Sequence, residues 1–243
     1  MRIINFAKRN FKELARDPLG MGFAIVLPLF LLFIFQQFNI PSDNYKIENF
    51  TSGIIVFGFS FITLFTAMLV SKDRTTSLLI RLGISPMKPS EYILGYILSI
   101  IPIILIQDIL FFILACFMGL NFSINIIFAG LVSIIIAILF ISTGILIGSI
   151  FTEKAASGIS SIIIQLVCFT SEMYFPKELL GNVFRKICEY LPFESAVTII
   201  KGIMNNNLEI ISIRNIIVFS IYTIMILILA IIVFKKKMTS DNK

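Results

Sequence analysis

Hydrophobic and polar positions along this chain come in blocks. Apolar runs over about 21–38, 50–70, 92–120, 124–150, 155–170 and 216–234 are separated by shorter polar stretches. A helix needs roughly 20 apolar residues to cross a bilayer, so the pattern predicts an all-α polytopic membrane protein with six spans, of which 155–170 is short for the task. Pro18 and Gly20 mark the entry to the first span. Pro28 and Pro102 lie inside the first and third, where packing against neighbouring helices turns a break into a kink. Residues 39–49 are polar, with Pro41, Ser42, Asp43 and Asn44 as turn formers, while 121–123 and 152–154 are tight connections between antiparallel neighbours.

Three stretches have helical spacing without the length or apolarity of a span. Residues 1–17 place Ile4, Ala7, Phe11 and Leu14 on one face, with Lys8, Arg9, Lys12 and Arg16 around it, which predicts a helix lying in the membrane interface; no small-residue cleavage site follows it. Between the second and third spans, residues 72–91 place Thr75, Leu78, Leu79 and Leu82 at i, i+3, i+4 and i+7. Asp73 is the expected N-cap of this helix (73–83), Gly83 its C′ residue, and Pro86 ends it. Arg74 and Arg81 flank the apolar stripe, with Lys72 and Lys88 further out. A short helix with an apolar stripe and a basic rim, held between two spans, suits docking on another protein. Residues 171–212 predict amphipathic helices outside the spans: Leu180, Phe184, Ile187 and Leu191 repeat up to Pro192, and 195–204 carry Val197, Ile200 and Met204 on one side.

Composition agrees with the pattern. The 243 residues are 58% hydrophobic and 14% charged, and the mean hydropathy is +0.99, well outside the usual range of soluble domains. The net charge of +6 gives no case for nucleic acid, because the basic residues sit between apolar runs and not on a soluble face. They set orientation instead. With six spans, 14 of the 20 Lys and Arg fall on the side of both termini and 72–91, and 6 on the other. The positive-inside rule then predicts cytoplasmic termini, a cytoplasmic docking helix, and an external 171–212 segment carrying Glu172, Glu178, Glu189, Glu194 and Glu209.

Catalytic chemistry finds little footing. The chain has no histidine, and Cys116, Cys168 and Cys188 are widely spaced, which argues against a metal site, a redox pair or a disulfide framework. There is no GxxxxGK[ST], HExxH or GxSxG sequence. Asp108, beside Gln107, is the one acidic residue deep in a span. Buried carboxylates there are costly, so Gln107 and Asp108 form a candidate polar site, either structural or coupled to an ion or solute. An intramembrane aspartyl protease would need a second aspartate in another span. Phe57, Phe61 and Phe65 make a stripe on the second span, and with Phe33 and Gln37 on the first and Gln165 and Phe169 on the fifth they could line a solute path or simply pack. Gly144 and Gly148 form a GxxxG suited to close intrachain helix approach.

The order of these parts resembles the ABC-2 type permease family, the membrane subunits of ATP-binding-cassette exporters. The resemblance rests on TTSLLIRLGISPMKPSEYILGYIL (75–98), similar to the family's coupling-helix region, and on YFPKELL (174–180) with YLPFESAVTIIKGI (190–203), similar to its external stretch before the last span. Thr76-Ser77 and Leu180-Gly181 depart from the usual gly-thr and second leu-pro. The resemblance implies a second permease copy or a homologous permease, and two separate ATPase subunits holding the ATP and magnesium that this chain does not. It also implies that Arg74, Thr75, Leu78, Leu79, Arg81 and Leu82 meet the ATPase. The expected function is export of an amphipathic or hydrophobic compound such as an antibiotic, peptide or lipid, with polysaccharide or glycolipid export as an alternative; the chain itself is no enzyme. A non-transporting membrane sensor or immunity protein is the alternative from another class.

Overall fold

The computed structural model describes residues 2–38, 40–76, 87–171 and 181–240. Nine α-helices are found among them, and no strand: α1 (Arg2–Ala15), α2 (Pro18–Gln37), α3 (Ile47–Thr75), α4 (Pro89–Phe117), α5 (Ile124–Ile150), α6 (Glu153–Thr170), α7 (Asn182–Tyr190), α8 (Pro192–Met204) and α9 (Ile213–Ser240). Local chemistry sets several starts. Asp17 caps α2 by accepting the Gly20 N–H at 3.0 Å, with Pro18 in the first turn. Pro89 opens α4, and the Glu91 carboxylate reaches back to the Lys88 N–H at 2.6 Å. The turn between α4 and α5 passes through Gly119 at φ +110, a conformation that a Cβ makes costly.

The helix α3 is the axis of the bundle, packed on by α2, α4, α5, α6 and α8. Lipid offers apolar side chains no less comfort than a protein interior does, so helices in a membrane hold together by close fit. Here the fit is made by glycine. A Cβ on Gly144 would lie 2.6 Å from the Thr63 carbonyl oxygen, and one on Gly148 would lie 2.6 Å from that of Ala67. The GxxxG of α5 therefore packs directly on the α3 backbone, the intrachain use expected for it. Thr63 adds a hydrogen bond to the Phe140 carbonyl at 3.0 Å, and Phe59 meets the Phe140 ring.

Four helices are long and apolar enough to cross a membrane by length and composition: α3, α4, α5 and α9 up to Lys237. In α2 the qualifying apolar stretch is the shorter Gly22–Gln37. The observed helices overlap all six expected runs, and α5 has the expected bounds, while α3 runs to Thr75 where the apolar pattern ends near residue 70.

Two expectations for the outlying helices change. Helix α1 seats Ala7 and Leu14 of its expected face, with Phe11 partly buried against the core, but not Ile4. Phe6, Ala7, Asn10 and Leu14 are its buried residues, packed mainly on α4, while Ile4 is exposed. In the 171–212 segment, α7 buries Cys188 and exposes Ile187 of the apolar repeat, while Leu180 lies outside the described residues. Val197, Ile200 and Met204 are buried as expected, because α8 is tucked between α3, α5 and α9.

Candidate functional site

One end of the bundle gathers α1, the close of α3, the opening of α4, the α5–α6 corner and the last turns of α9. Aromatic packing makes its floor. The Phe6 ring meets Tyr92 and Tyr96 edge-on at centroid distances of 5.4 and 5.1 Å, and Phe234 of α9 closes on the same two tyrosines. Gly95 permits this approach, since a Cβ there would lie 2.5 Å from the Phe6 ring.

Charge is laid over that floor. The Arg9 guanidinium lies 2.7 Å from Asp73 Oδ1 and 2.9 Å from Oδ2. Tyr96 donates its hydroxyl to Asp73 Oδ2 at 2.9 Å. Glu13 takes Arg9 at 2.6 Å and the Lys72 ammonium at 2.8 Å. Asp73 is wholly buried, and among the described residues its charge is held by Arg9 and Tyr96. The cluster fastens α1 to the last turn of α3 and the second turn of α4. Those are the two helices that flank residues 76–88.

Asp73 is therefore not the N-cap of a separate helix. It belongs to the final turn of α3, and its side chain serves α1 and α4 rather than a following N–H. Thr75 is the last residue of α3, exposed, with its hydroxyl on the Lys72 carbonyl at 3.1 Å. Arg74 donates to the Phe151 carbonyl at 2.7 Å, tying α3 to the α5–α6 corner. Leu78, Leu79, Arg81 and Leu82, with Gly83 and Pro86, lie outside the described residues. Arg9, Glu13 and Tyr96 were not singled out by the sequence. Only the Arg9–Glu13 spacing of i, i+4 gave a signal; the partners of Asp73 come from two other helices.

The opposite end carries residues 40–46, α7 and α8. Asn205 donates to Asn49 Oδ1 at 3.1 Å, joining the end of α8 to the start of α3 beside a polar pocket of about 240 Å³. The Lys46 ammonium, 2.6 Å from Asp43, hydrogen-bonds the Asp43 carboxylate and holds its pKa below the ordinary value.

The suspected solute-path residues fall into two sets. Phe57, Phe61 and Phe65 are buried inside the bundle, whereas Phe33, Gln37, Gln165 and Phe169 are exposed on α2 and α6. Gln107 and Asp108 also part company. Gln107 is packed where a Cβ on Gly58 of α3 would fall, and neither polar atom of its amide has a hydrogen-bond partner. Asp108 turns to α5, where the Ser133 hydroxyl meets its Oδ2. Ser133 is thus a buried polar partner of Asp108 on the neighbouring helix.

A bundle of long apolar helices around α3, with most of its charged groups at the ends, defines an integral membrane protein. The chain belongs to the ABC-2 type transporter family: the family's model matches residues 2–206, from α1 to just past α8. It is thus a membrane transporter subunit of an ABC system, and membership implies association with ABC ATPase partners. No curated protein matches the chain.

Proposed function

We propose that the chain is the permease of an ABC exporter, driven by separate ATPase subunits through residues 73–83, and that it moves an amphipathic or hydrophobic compound out of the cell. The observation that carries this is the Arg9–Asp73–Tyr96 cluster, because it fixes both helices from which residues 76–88 emerge. A push on a connection whose two roots are clamped to one another and to α1 moves the helices together instead of being lost in a loose hinge. The chain carries no P-loop of its own, so the push comes from a partner holding ATP and magnesium.

The test is co-purification. In the double variant Arg74→Glu and Arg81→Glu, an ATPase subunit that accompanies the wild type in detergent is expected to be lost, as reversed charge at a docking rim costs affinity. If no ATPase accompanies the wild type, the transporter reading fails.

In this reading α2, α3, α4, α5, α6 and α9 all cross the membrane, with α1, residues 72–91 and both termini in the cytoplasm. A cysteine-specific reagent that cannot cross membranes is expected to label Glu48→Cys on intact cells, and Lys12→Cys only after permeabilisation. The reverse pattern would invert the protein. A second permease, identical or homologous, completes the unit. Its support is α6, which exposes Gly158, Ser161 and Gln165 on a helix otherwise at home in lipid. Such a small and polar stripe is the kind of face that helices in membranes bury on each other.

A further inference from the structure

A groove of about 670 Å³ runs between the second half of α4 and the first half of α5. Its walls are apolar and include Ile109, Phe112, Ile127 and Leu131, and a carboxyl group, that of Asp108, lies among its lining residues. Asp108 is only 3% exposed. Among the described residues its Oδ1 has no hydrogen-bond partner, and its Oδ2 shares the single Ser133 proton with the Gly130 carbonyl, 2.6 Å from that hydroxyl. A helix-to-helix contact would need only the Ser133 bond; it leaves one carboxyl oxygen unused at the base of an apolar trough. Unmet polar groups at this depth are expensive, so the groove is complementary to a molecule that brings a donor.

The geometry points to a binding site for an amphiphile with an apolar body and one amino group, the body lying along α4 and α5 and the amine meeting Asp108. Depth argues for such a solute over a phospholipid. Asp108 stands nine residues before the Phe117 end of α4, or about 13 Å along the helix axis. That is well below the headgroups of a bilayer whose apolar core is about 30 Å thick. A lipid amine stays above it, and an acyl chain carries no donor. The site deepens the export reading by naming the solute class, and it rests on that reading for its use, though not for binding itself.

The chain contains no tryptophan, so Phe128→Trp, on α5 beside the groove but outside its lining, gives a single fluorescent donor. The probe is an N-dansyl long-chain diamine with one free amine, compared with the same molecule ending in a methyl group, each titrated into the purified permease in lipid nanodiscs. Energy transfer for the amine is expected to saturate at a concentration about tenfold lower than for its methyl counterpart. In Asp108→Asn, which keeps an acceptor for Ser133, the two should come within about twofold. Gly130→Leu, which fills the groove and leaves Asp108 in place, should weaken both probes, so the site is tested even if Asp108→Asn does not fold. Equal binding of the two probes, an undiminished preference in Asp108→Asn, unchanged binding in Gly130→Leu, or no binding at all because another copy covers the groove would each overturn the assignment. ATP-driven movement into vesicles separates the two ideas. Amine-selective binding without movement leaves the groove assigned and sinks the export reading, whereas movement without amine preference does the opposite.

Discussion

Replacing Asp73 by alanine is expected to destabilise the permease by about 3–5 kcal/mol and to abolish ATP-driven transport in whatever protein survives. The carboxylate is fully buried and accepts from Arg9 and Tyr96, so its removal strands a guanidinium and a buried phenol at once. Arg9 retains Glu13, which is why the loss is not larger. The measurement is the thermal midpoint in detergent beside the rate of transport per ATP hydrolysed. A double-mutant cycle with Arg9→Ala should give a coupling of about 1–3 kcal/mol, and a coupling near zero would show that the two residues are neighbours without being partners. The exposed Asp43–Lys46 pair is the control, since Asp43→Ala removes an ion pair surrounded by solvent and should leave the midpoint unmoved.

Gly148→Leu should be worse for folding and say nothing about coupling. The new side chain has nowhere to go: its Cβ alone meets the Ala67 carbonyl oxygen at 2.6 Å and the Val70 Cβ at 2.8 Å, and backbone does not step aside as a flexible side chain does. Overpacking of this kind costs about 3 kcal/mol or more. It does so between α3 and α5, where van der Waals fit replaces the hydrophobic effect as the source of cohesion. Loss of folded protein from the membrane fraction is the expected result. Gly130→Ala is the contrast, as its Cβ would sit 3.6 Å from the Phe112 ring, an ordinary contact. Normal accumulation of Gly148→Leu would mean that α5 does not lie on α3 in this register.

The apolar runs made the helices legible because most of them are long and separated by polar stretches, and α5 was readable to the residue. What escaped the sequence is polar. A hydropathy pattern ends the second span near residue 70, yet α3 continues to Thr75 because Lys72 and Asp73 are satisfied by Glu13, Arg9 and Tyr96 from other helices. For the same reason Asp73, which reads locally as a cap, is a tertiary residue. The seated face of α1 was misjudged in part through Asn10, a buried amide that any apolar periodicity counts as outward. Asp108 could be picked out as costly, but its partner Ser133 could not, since serines occur throughout these helices and nothing local marks the one opposite. Of the docking residues, Arg74 and Thr75 close α3, and the family to which the chain belongs supports their neighbourhood without deciding their contacts.

The clamp on α1 also fixes an order of events during synthesis. Arg9 leaves the ribosome long before its partner Asp73, 64 positions later, and before Tyr96, which holds that carboxylate from 87 positions on. Until α3 and α4 are in place, α1 has no protein surface to receive Phe6 and Leu14, and its basic, amphipathic character suits it to wait on anionic lipid. A helix made well before its partners is thus seated only after them. A nascent chain arrested before Tyr96 has emerged should leave α1 open to protease, and one released at full length should hide it.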